Sequence, residues 1–157
     1  TDAASLVEYC KYPPLGTRSW GPYVALPQSG LTAAEYLRAA NYETIVLAMI
    51  ETRTALDAID EILAVDGIDG VFVGPSDLSI ALSAGQGIGP NSEPVLVALD
   101  LVVRMARAAG KYTGVFAETG DWARMAAGVG FDLIAVGNDS SLLMLAAHQE
   151  LEIARRL

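Results

Sequence analysis

Cysteine and histidine are almost missing from this sequence of 157 residues, which has one of each, Cys10 and His148. A single cysteine cannot form a disulfide within the chain, and one cysteine with one histidine cannot build a structural zinc site. No histidine lies near Cys10 in sequence, so this thiol is expected to pack on a helix face rather than act as a nucleophile. There is also no G-x-S-x-G motif, and His148 falls in a predicted helix. Serine hydrolase chemistry therefore lacks a base in this chain, and a cysteine nucleophile is disfavoured.

Lysine is scarce as well, since the chain has only Lys11 and Lys111. A Schiff-base enzyme needs a lysine at the carboxyl end of a strand. Lys11 approaches a loop, and Lys111 precedes a predicted strand and so belongs to the opposite rim. Covalent amine catalysis is therefore disfavoured.

Basic residues are fewer than acidic residues. The chain has 10 lysine and arginine residues and 19 aspartate and glutamate residues, which give a net charge of −9. Nucleic acid and anionic membranes are poor partners for such a chain. No apolar run approaches the roughly 18 residues of a membrane span, and no signal-like segment opens the chain, so we expect a cytoplasmic protein. Hydrophobic residues make up 52% and charged residues only 18%. This composition predicts an interface, as in a homo-oligomer.

Four short apolar runs alternate along the chain with segments of helical spacing. The predicted strands cover residues 45–50, 71–73, 112–116 and 133–136, and the predicted helices cover residues 1–10, 32–41, 52–63, 95–109, 122–129 and 140–157. Strands that are apolar throughout are typical of a parallel sheet covered on both faces, and the alternation with helices predicts an α/β fold. We expect residues 1–157 to form a single domain.

Side-chain caps are predicted at the start of three of these helices. Thr1 or Asp2 is predicted to cap the first helix, and Thr32 with Glu35 has the pattern of a capping box. Thr52 can cap the helix that follows the first strand.

Two of the predicted strands lead into carboxylates. The first is followed directly by Glu51, and the second by the turn Gly74-Pro75-Ser76-Asp77. Carboxyl ends of parallel strands form the active face of βα folds, and paired carboxylate oxygens there suit a hard divalent cation. The turn is rigid, and the backbone N–H groups after it can face a ligand. The alternative is that each acid is only a cap or first-turn residue of the next helix.

Two other patterns are given structural interpretations. The segment Gly85-Gln86-Gly87-Ile88-Gly89 is like a dinucleotide fingerprint, but it lies in a long predicted loop rather than between a strand and the helix it opens. Aromatic residues gather in the first quarter, where loop or interface packing is expected. They are Tyr9, Tyr12, Trp20, Tyr23, Tyr36 and Tyr42.

Several motifs together carry a family resemblance. They are Tyr12-Pro13-Pro14-x-Gly16-x-Arg18, Met49-Ile50-Glu51-Thr52, Gly70-Val71-Phe72-Val73-Gly74-Pro75-Ser76-Asp77-Leu78, Ala109-Gly110-Lys111, and Ala135-Val136-Gly137 followed by Asp139. With these motifs, which span essentially the whole chain, the sequence resembles the HpcH/HpaI family of class II aldolases. The resemblance implies a (β/α)8 TIM barrel of which this chain supplies the second half, with a divalent metal and pyruvate at the carboxyl ends of the strands.

The resemblance also implies roles for individual residues. Glu51 and Asp77 would be the ligands of Mg²⁺ or Mn²⁺, with Co²⁺ as a possible substitute. Ser76 matches the position whose backbone N–H meets the carboxylate of pyruvate, and Gly74 and Pro75 would shape that turn.

Two further residues are candidates for contact with substrate. Met49 stands where some family members have a substrate-contacting glutamine. Arg18, in the Pro-Pro loop, is a candidate for binding an acidic aldehyde, and the alternative is an arginine that braces the loop or an interface.

The activity implied by the resemblance is reversible aldol cleavage of a 4-hydroxy-2-oxo acid into pyruvate and an aldehyde. The family's base histidine, the acidic residue that supports it and an arginine belong to the first half of the barrel, and nothing in this chain replaces them. We therefore expect these 157 residues alone to have unpaired sheet edges and little turnover. The alternatives are a lyase like the citrate lyase β subunit, disfavoured because no basic cluster is present for coenzyme A, and a non-catalytic assembly half.

Overall fold

The computed structural model describes residues 2–156, and within them it has nine helices and four strands. The helices are α1 (Asp2–Cys10), α2 (Ala25–Ser29), α3 (Ala33–Glu43), α4 (Arg53–Asp57), α5 (Ile59–Leu63), α6 (Pro75–Leu82), α7 (Glu93–Ala108), α8 (Gly120–Val129) and α9 (Asp139–Ala154). The strands are β1 (Leu47–Ile50), β2 (Gly70–Val73), β3 (Tyr112–Ala117) and β4 (Leu133–Val136).

The four strands form one parallel sheet in the order β1-β2-β3-β4, which confirms the predicted α/β fold. Ile50 lies opposite Val73, and Val73 lies opposite Val115. β1 starts two residues later than predicted, because the backbone N–H of Val46 donates to the carboxylate of Asp69 at 2.7 Å instead of joining the ladder. Among the described residues, β1 and β4 are the unpaired edges of the sheet, as expected.

The hydrophobic core lies between one face of the sheet and helix α7. Alternating side chains of the central strands are fully buried there, with those of Val71, Val73 and Val115 at 0% exposure. One stripe of α7 belongs to the same buried cluster; its members include Val95, Leu99, Val102 and Ala106. Burying each valine or leucine side chain contributes about 1.5–3 kcal/mol, so this contact dominates the stability of the fold.

The opposite face of the sheet is open. Met49 and Phe72 alternate with the buried residues of β1 and β2 and so point to this face, where Met49 is 48% exposed. Leu133 of β4 lies on this open face and is exposed, and Val136, on the opposite face, is exposed as well. The described helices that pack on the sheet cover only one face, and they leave most of β4 exposed. The expectation that all four strands are covered on both faces is therefore wrong.

Side-chain caps explain where two helices begin. Thr32 accepts a hydrogen bond from the N–H of Glu35, and the carboxylate of Glu35 accepts from the N–H of Thr32, which confirms the capping box of α3. Thr52 caps α4 as predicted, by accepting from the N–H of Ala55. The single helix predicted for residues 52–63 is instead two short helices that meet at Ala58.

The last helix, α9, stands away from the core. None of its residues is buried. Its exposed apolar side chains are those of Leu142, Leu143, Met144, Leu145, Leu151 and Ile153. The predicted cap Thr1 and the predicted helix end Leu157 lie outside the described residues. Across residues 2–156, no helix combines the length and the apolar character needed to cross a membrane.

Candidate active site

Glu51 and Asp77 lie at the carboxyl ends of neighbouring strands. Glu51 directly follows β1, and Asp77 lies in the first turn of α6, which begins just after β2. The register of the two strands brings Glu51 level with Gly74. The alternative interpretation as a first-turn residue holds for Asp77 alone, because Thr52 rather than Glu51 caps α4.

Gly74 leaves room for the side chain of Glu51. A Cβ atom placed on Gly74 would overlap Oε1 of Glu51 and would lie 3.0 Å from its Cγ and Cδ atoms. The backbone of Gly74 has φ −97° and ψ 95°, which any residue can adopt. Space for the carboxylate, and not backbone freedom, is therefore the reason that glycine suits this position.

The electrostatics of Glu51 are those of a carboxylate without a counter-charge. Burial raises the pKa of Glu51 above its ordinary value, and the negative charge of Asp77 raises this pKa further. The register of β1 and β2 places the residues that follow them at the same end of the sheet, so the two carboxylates extend from neighbouring strand ends. A hard divalent cation between them would relieve the repulsion, and carboxylate oxygens are the ligands that such a cation prefers. The residues present therefore fit a metal centre.

A third carboxylate, Glu118, follows β3 at the same edge of the sheet but was not singled out from the sequence. Within residues 2–156, no three or more Asp, Glu, His or Cys side chains are placed to share one metal ion. Glu118 therefore stays outside the Glu51–Asp77 pair. A bound cation would complete its coordination with water or substrate oxygens.

The turn beside this pair ends at the N-terminus of α6. Gly74 is the N-cap residue and supplies no side-chain cap, and Pro75 occupies the first turn. The first N–H groups of a helix have no partner within it, and they attract anions. Ser76 and Asp77 are exposed, so the N–H groups at this end are accessible to a carboxylate from solution.

A cavity of about 750 Å³ opens beside Glu51 at the β1 edge of the sheet. Its walls come from α1, β1, α4 and α5, and they include Met49, Thr52 and Ile62. The structure therefore brings Met49 to the Glu51 side of the site, where a substrate could reach both. Ser76 and Asp77 are not in the walls of this cavity and approach the site from the β2 side.

Arg18 is not part of this arrangement. Its guanidinium lies over the ring of Tyr12, 4.8 Å from the centroid, and donates to the hydroxyl of Thr44 at 3.4 Å. Thr44 precedes β1, whereas Glu51 follows it. Arg18 therefore lies at the amino-terminal end of the strands, and Glu51 lies at their carboxyl end. The expected contact of Arg18 with substrate is thus not supported, and its contacts are those of the alternative, a loop-bracing arginine.

The residues that were rejected as site residues from the sequence lie in the elements where the sequence predicts them. The ammonium group of Lys111 donates to the backbone carbonyl of Ile68 at 2.7 Å, on the amino-terminal rim and away from the carboxylates. His148 lies on α9. The glycine-containing segment 85–89 is a loop, not the junction of a strand and a helix. The rejection of Schiff-base and dinucleotide sites is consistent with these positions.

Sequence reasoning missed one polar residue beside the site, Ser79. Its side chain is buried on α6, and its hydroxyl donates to the carbonyl of Ser76 at 2.6 Å and accepts from the N–H of Gly89 at 2.9 Å. The signal available in the sequence was a serine three residues after Ser76, next to Leu78 on a helix. A buried polar residue at that spacing can hydrogen-bond back to the first turn of the helix.

A parallel α/β sheet with carboxylates beyond two neighbouring strands is typical of βα enzymes, whose sites lie on the carboxyl face. The model of the family HpcH/HpaI aldolase/citrate lyase matches residues 1–146, and the chain belongs to that family. The resemblance drawn from the motifs is therefore confirmed.

Individual relatives agree with the family. The chain is 41% identical over 156 residues to the hydroxypyruvate/pyruvate aldolase of Rhizorhabdus wittichii, a match that covers 99% of this chain and 61% of the relative. A crystal structure of an HpcH/HpaI aldolase/citrate lyase family protein from Burkholderia cenocepacia J2315 is similar with a TM-score of 0.82 and 32% identity, over 98% of this chain and 60% of that one. The chain thus spans about three fifths of the length of these relatives.

A more distant structure carries a metal. The citrate lyase β subunit of M. tuberculosis, complexed with oxaloacetate and magnesium, has a TM-score of 0.52 and 25% identity over 69% of this chain and 53% of that one. Divalent metal ions therefore occur in structures related to this chain.

Proposed function

We propose that the protein is a divalent-metal-dependent pyruvate aldolase that catalyses reversible cleavage of a 4-hydroxy-2-oxo acid into pyruvate and an aldehyde. The observation that carries this proposal is the Glu51–Asp77 pair, two mutually repelling carboxylates at the carboxyl ends of adjacent parallel strands. Membership of the family and the similarity to a hydroxypyruvate/pyruvate aldolase support it.

Glu51 and Asp77 would hold the ion, and Mg²⁺ or Mn²⁺ suits two carboxylates with water, with Co²⁺ as a substitute. When bound, the metal supplies Lewis-acid chemistry that draws electron density from the 2-oxo group and makes the adjacent methyl group more acidic. Gly74 keeps the carboxylate of Glu51 in place by leaving it room.

The carboxylate of pyruvate would bind at the N-terminus of α6. The N–H groups of Ser76 and Asp77 are the donors, and Pro75 fixes the backbone that leads to them. Met49 would form part of the wall next to the reacting carbon. We assign no catalytic base within residues 2–156, since His148 lies on α9 and the family's base histidine was expected outside this chain.

Calorimetry on the complete protein tests the proposal. Pyruvate should bind in the presence of Mn²⁺ and not after chelation of the metal. Glu51→Gln and Asp77→Asn should each lower turnover by at least about a hundredfold while the protein stays folded, because each removes a charged ligand. Glu118→Gln is the matched control, a carboxylate at the same edge but outside the pair, and it should keep metal-dependent binding. Pyruvate binding that is indifferent to metal would refute the assignment.

We further propose that the protein is a homo-oligomer. The exposed apolar side chains of α9 support this, because an apolar surface of this kind is stabilised by burial. Light scattering on the complete protein should give a mass at least twice that of one chain. Cytoplasmic location stays a prediction.

A further inference from the structure

We propose that Ser79 is a positioning residue that orients the peptide between Ser76 and Asp77 for binding the substrate carboxylate. The side chain of Ser79 is 3% exposed, so its hydroxyl has no access to solvent and serves only internal partners. Those partners are the carbonyl of Ser76, 2.6 Å away, and the N–H of Gly89, 2.9 Å away. The inference rests on the proposed function, because the orientation of this peptide affects activity only if its N–H binds pyruvate.

Peptide planarity connects the hydroxyl of Ser79 to the substrate side of the turn. The carbonyl of Ser76 and the N–H of Asp77 belong to one planar trans peptide and point in opposite directions. A hydrogen bond that holds the carbonyl along the axis of α6, towards its C-terminal end, therefore also holds the N–H in the opposite direction, beyond the N-terminus of α6. Gly74 contributes no side-chain cap there, so Ser79 is the side chain that fixes this peptide.

The second bond of Ser79 ties the same peptide to the loop of residues 83–92. That loop has no helix or strand of its own, yet it is held at both ends. The N–H of Gly85 donates to the carbonyl of Ile80 at 2.8 Å, and the side-chain oxygen of Asn91 accepts from the indole N–H of Trp122. Trp122 lies in the first turn of α8, immediately beyond β3. Ser79 thus connects the turn after β2, through the loop, to the turn after β3.

The experiment measures pyruvate binding by calorimetry on the complete protein at saturating Mn²⁺, together with the midpoint of thermal unfolding. Ser79→Ala should raise the Kd of pyruvate about three- to tenfold, as expected for loss of a single hydrogen bond. Ser79→Thr keeps a hydroxyl that can bond back to the first turn and should restore the Kd to within about twofold of the wild type. Ser29→Ala is the control, because the hydroxyl of Ser29 makes the same kinds of bond, to the carbonyl of Leu26 and from the N–H of Leu31, at the end of α2 and away from Ser76.

Each outcome separates the inference from the proposed function. If wild-type protein with Mn²⁺ fails to bind pyruvate, the proposed function is wrong. If the wild type binds but Ser79→Ala lowers only the unfolding midpoint and leaves the Kd unchanged, Ser79 is structural and the inference is overturned. Should Ser79→Ala not fold, Asn91→Ala releases the exposed far end of the loop and should raise the Kd by about threefold or more. An unchanged Kd in that variant would also overturn the inference.

Discussion

Replacing Gly74 with alanine tests whether glycine is present to make room for a metal ligand. Alanine adopts the backbone angles of Gly74 without strain, and its smaller entropy in the unfolded chain stabilises the fold by about 0.4–1 kcal/mol. The added Cβ would overlap the end of the Glu51 side chain, which is flexible enough to swing away. The substitution should therefore move Glu51 from its place beside Asp77 without unfolding the protein.

We expect Gly74→Ala to weaken Mn²⁺ binding about ten- to hundredfold, the usual cost of disturbing the surroundings of a metal ligand. The free energy of unfolding of the metal-free protein should be unchanged or higher by up to about 1 kcal/mol. Titration calorimetry measures the affinity, and urea unfolding measures the stability of the same preparation.

Gly128→Ala is the matched control for this pair of measurements. Gly128 is exposed on α8, and a Cβ there meets no atom within 4 Å. It should raise stability by up to about 1 kcal/mol, because alanine is the better helix former, and leave Mn²⁺ binding alone. If Gly74→Ala binds Mn²⁺ within about threefold of the wild type, Glu51 does not depend on the space at Gly74 for metal binding, and the reasoning is refuted.

Four more predictions concern the titration of Glu51, its effect on stability, the role of Arg18 and the activity of this chain alone. Because burial and Asp77 raise the pKa of Glu51, protons should compete with Mn²⁺ as the pH falls through that pKa, and an affinity that calorimetry finds independent of pH would contradict this. The same raised pKa means that ionised Glu51 is unfavourable to folding. The stability that protonated Glu51 contributes is therefore present at low pH and lost as the pH rises through this pKa. Glu51→Gln should thus stabilise the metal-free protein at neutral pH but not in acid. Arg18→Ala should cost about 0.5–1 kcal/mol of stability through its stacking on Tyr12, with equal effects on kcat/KM for carboxylated and neutral aldehydes, and a selective loss for carboxylated aldehydes would restore its role in recognition. The 157-residue chain assayed alone should show at least about 10⁴-fold less turnover than full-length relatives, since the resemblance places the family's base histidine and arginine outside these residues, and turnover within about tenfold of theirs would show that a base is present in the chain.

The sequence alone determined the four strands, the positions of the longer helices and the identity of the candidate ligands, but it did not predict the bounds of α2 or α6. The four strands are apolar runs, interrupted only by Thr113 in β3, and this pattern predicts a parallel strand without knowledge of its neighbours. The capping box of Thr32 and Glu35 is equally local, because its partners are three residues apart. Glu51 and Asp77 could be paired from the sequence because parallel strands bring their carboxyl ends to one edge.

The tertiary structure decided what depends on contacts between distant parts of the chain. Arg18 and Thr44 are 26 residues apart in sequence. Only their hydrogen bond shows that the arginine lies at the amino-terminal end of the strands, whereas Glu51 lies at the carboxyl end. Gly74 is suited to its place by a side chain 23 residues earlier, and Ser79 by the N–H of Gly89 in a loop that has no periodic pattern. The open face of the sheet, opposite the face that packs on α7, could not be predicted either. Both faces carry apolar side chains, so the sequence does not distinguish the buried face from the exposed one. Hydrophobic patterning reports which residues can be buried, whereas packing decides which of them are.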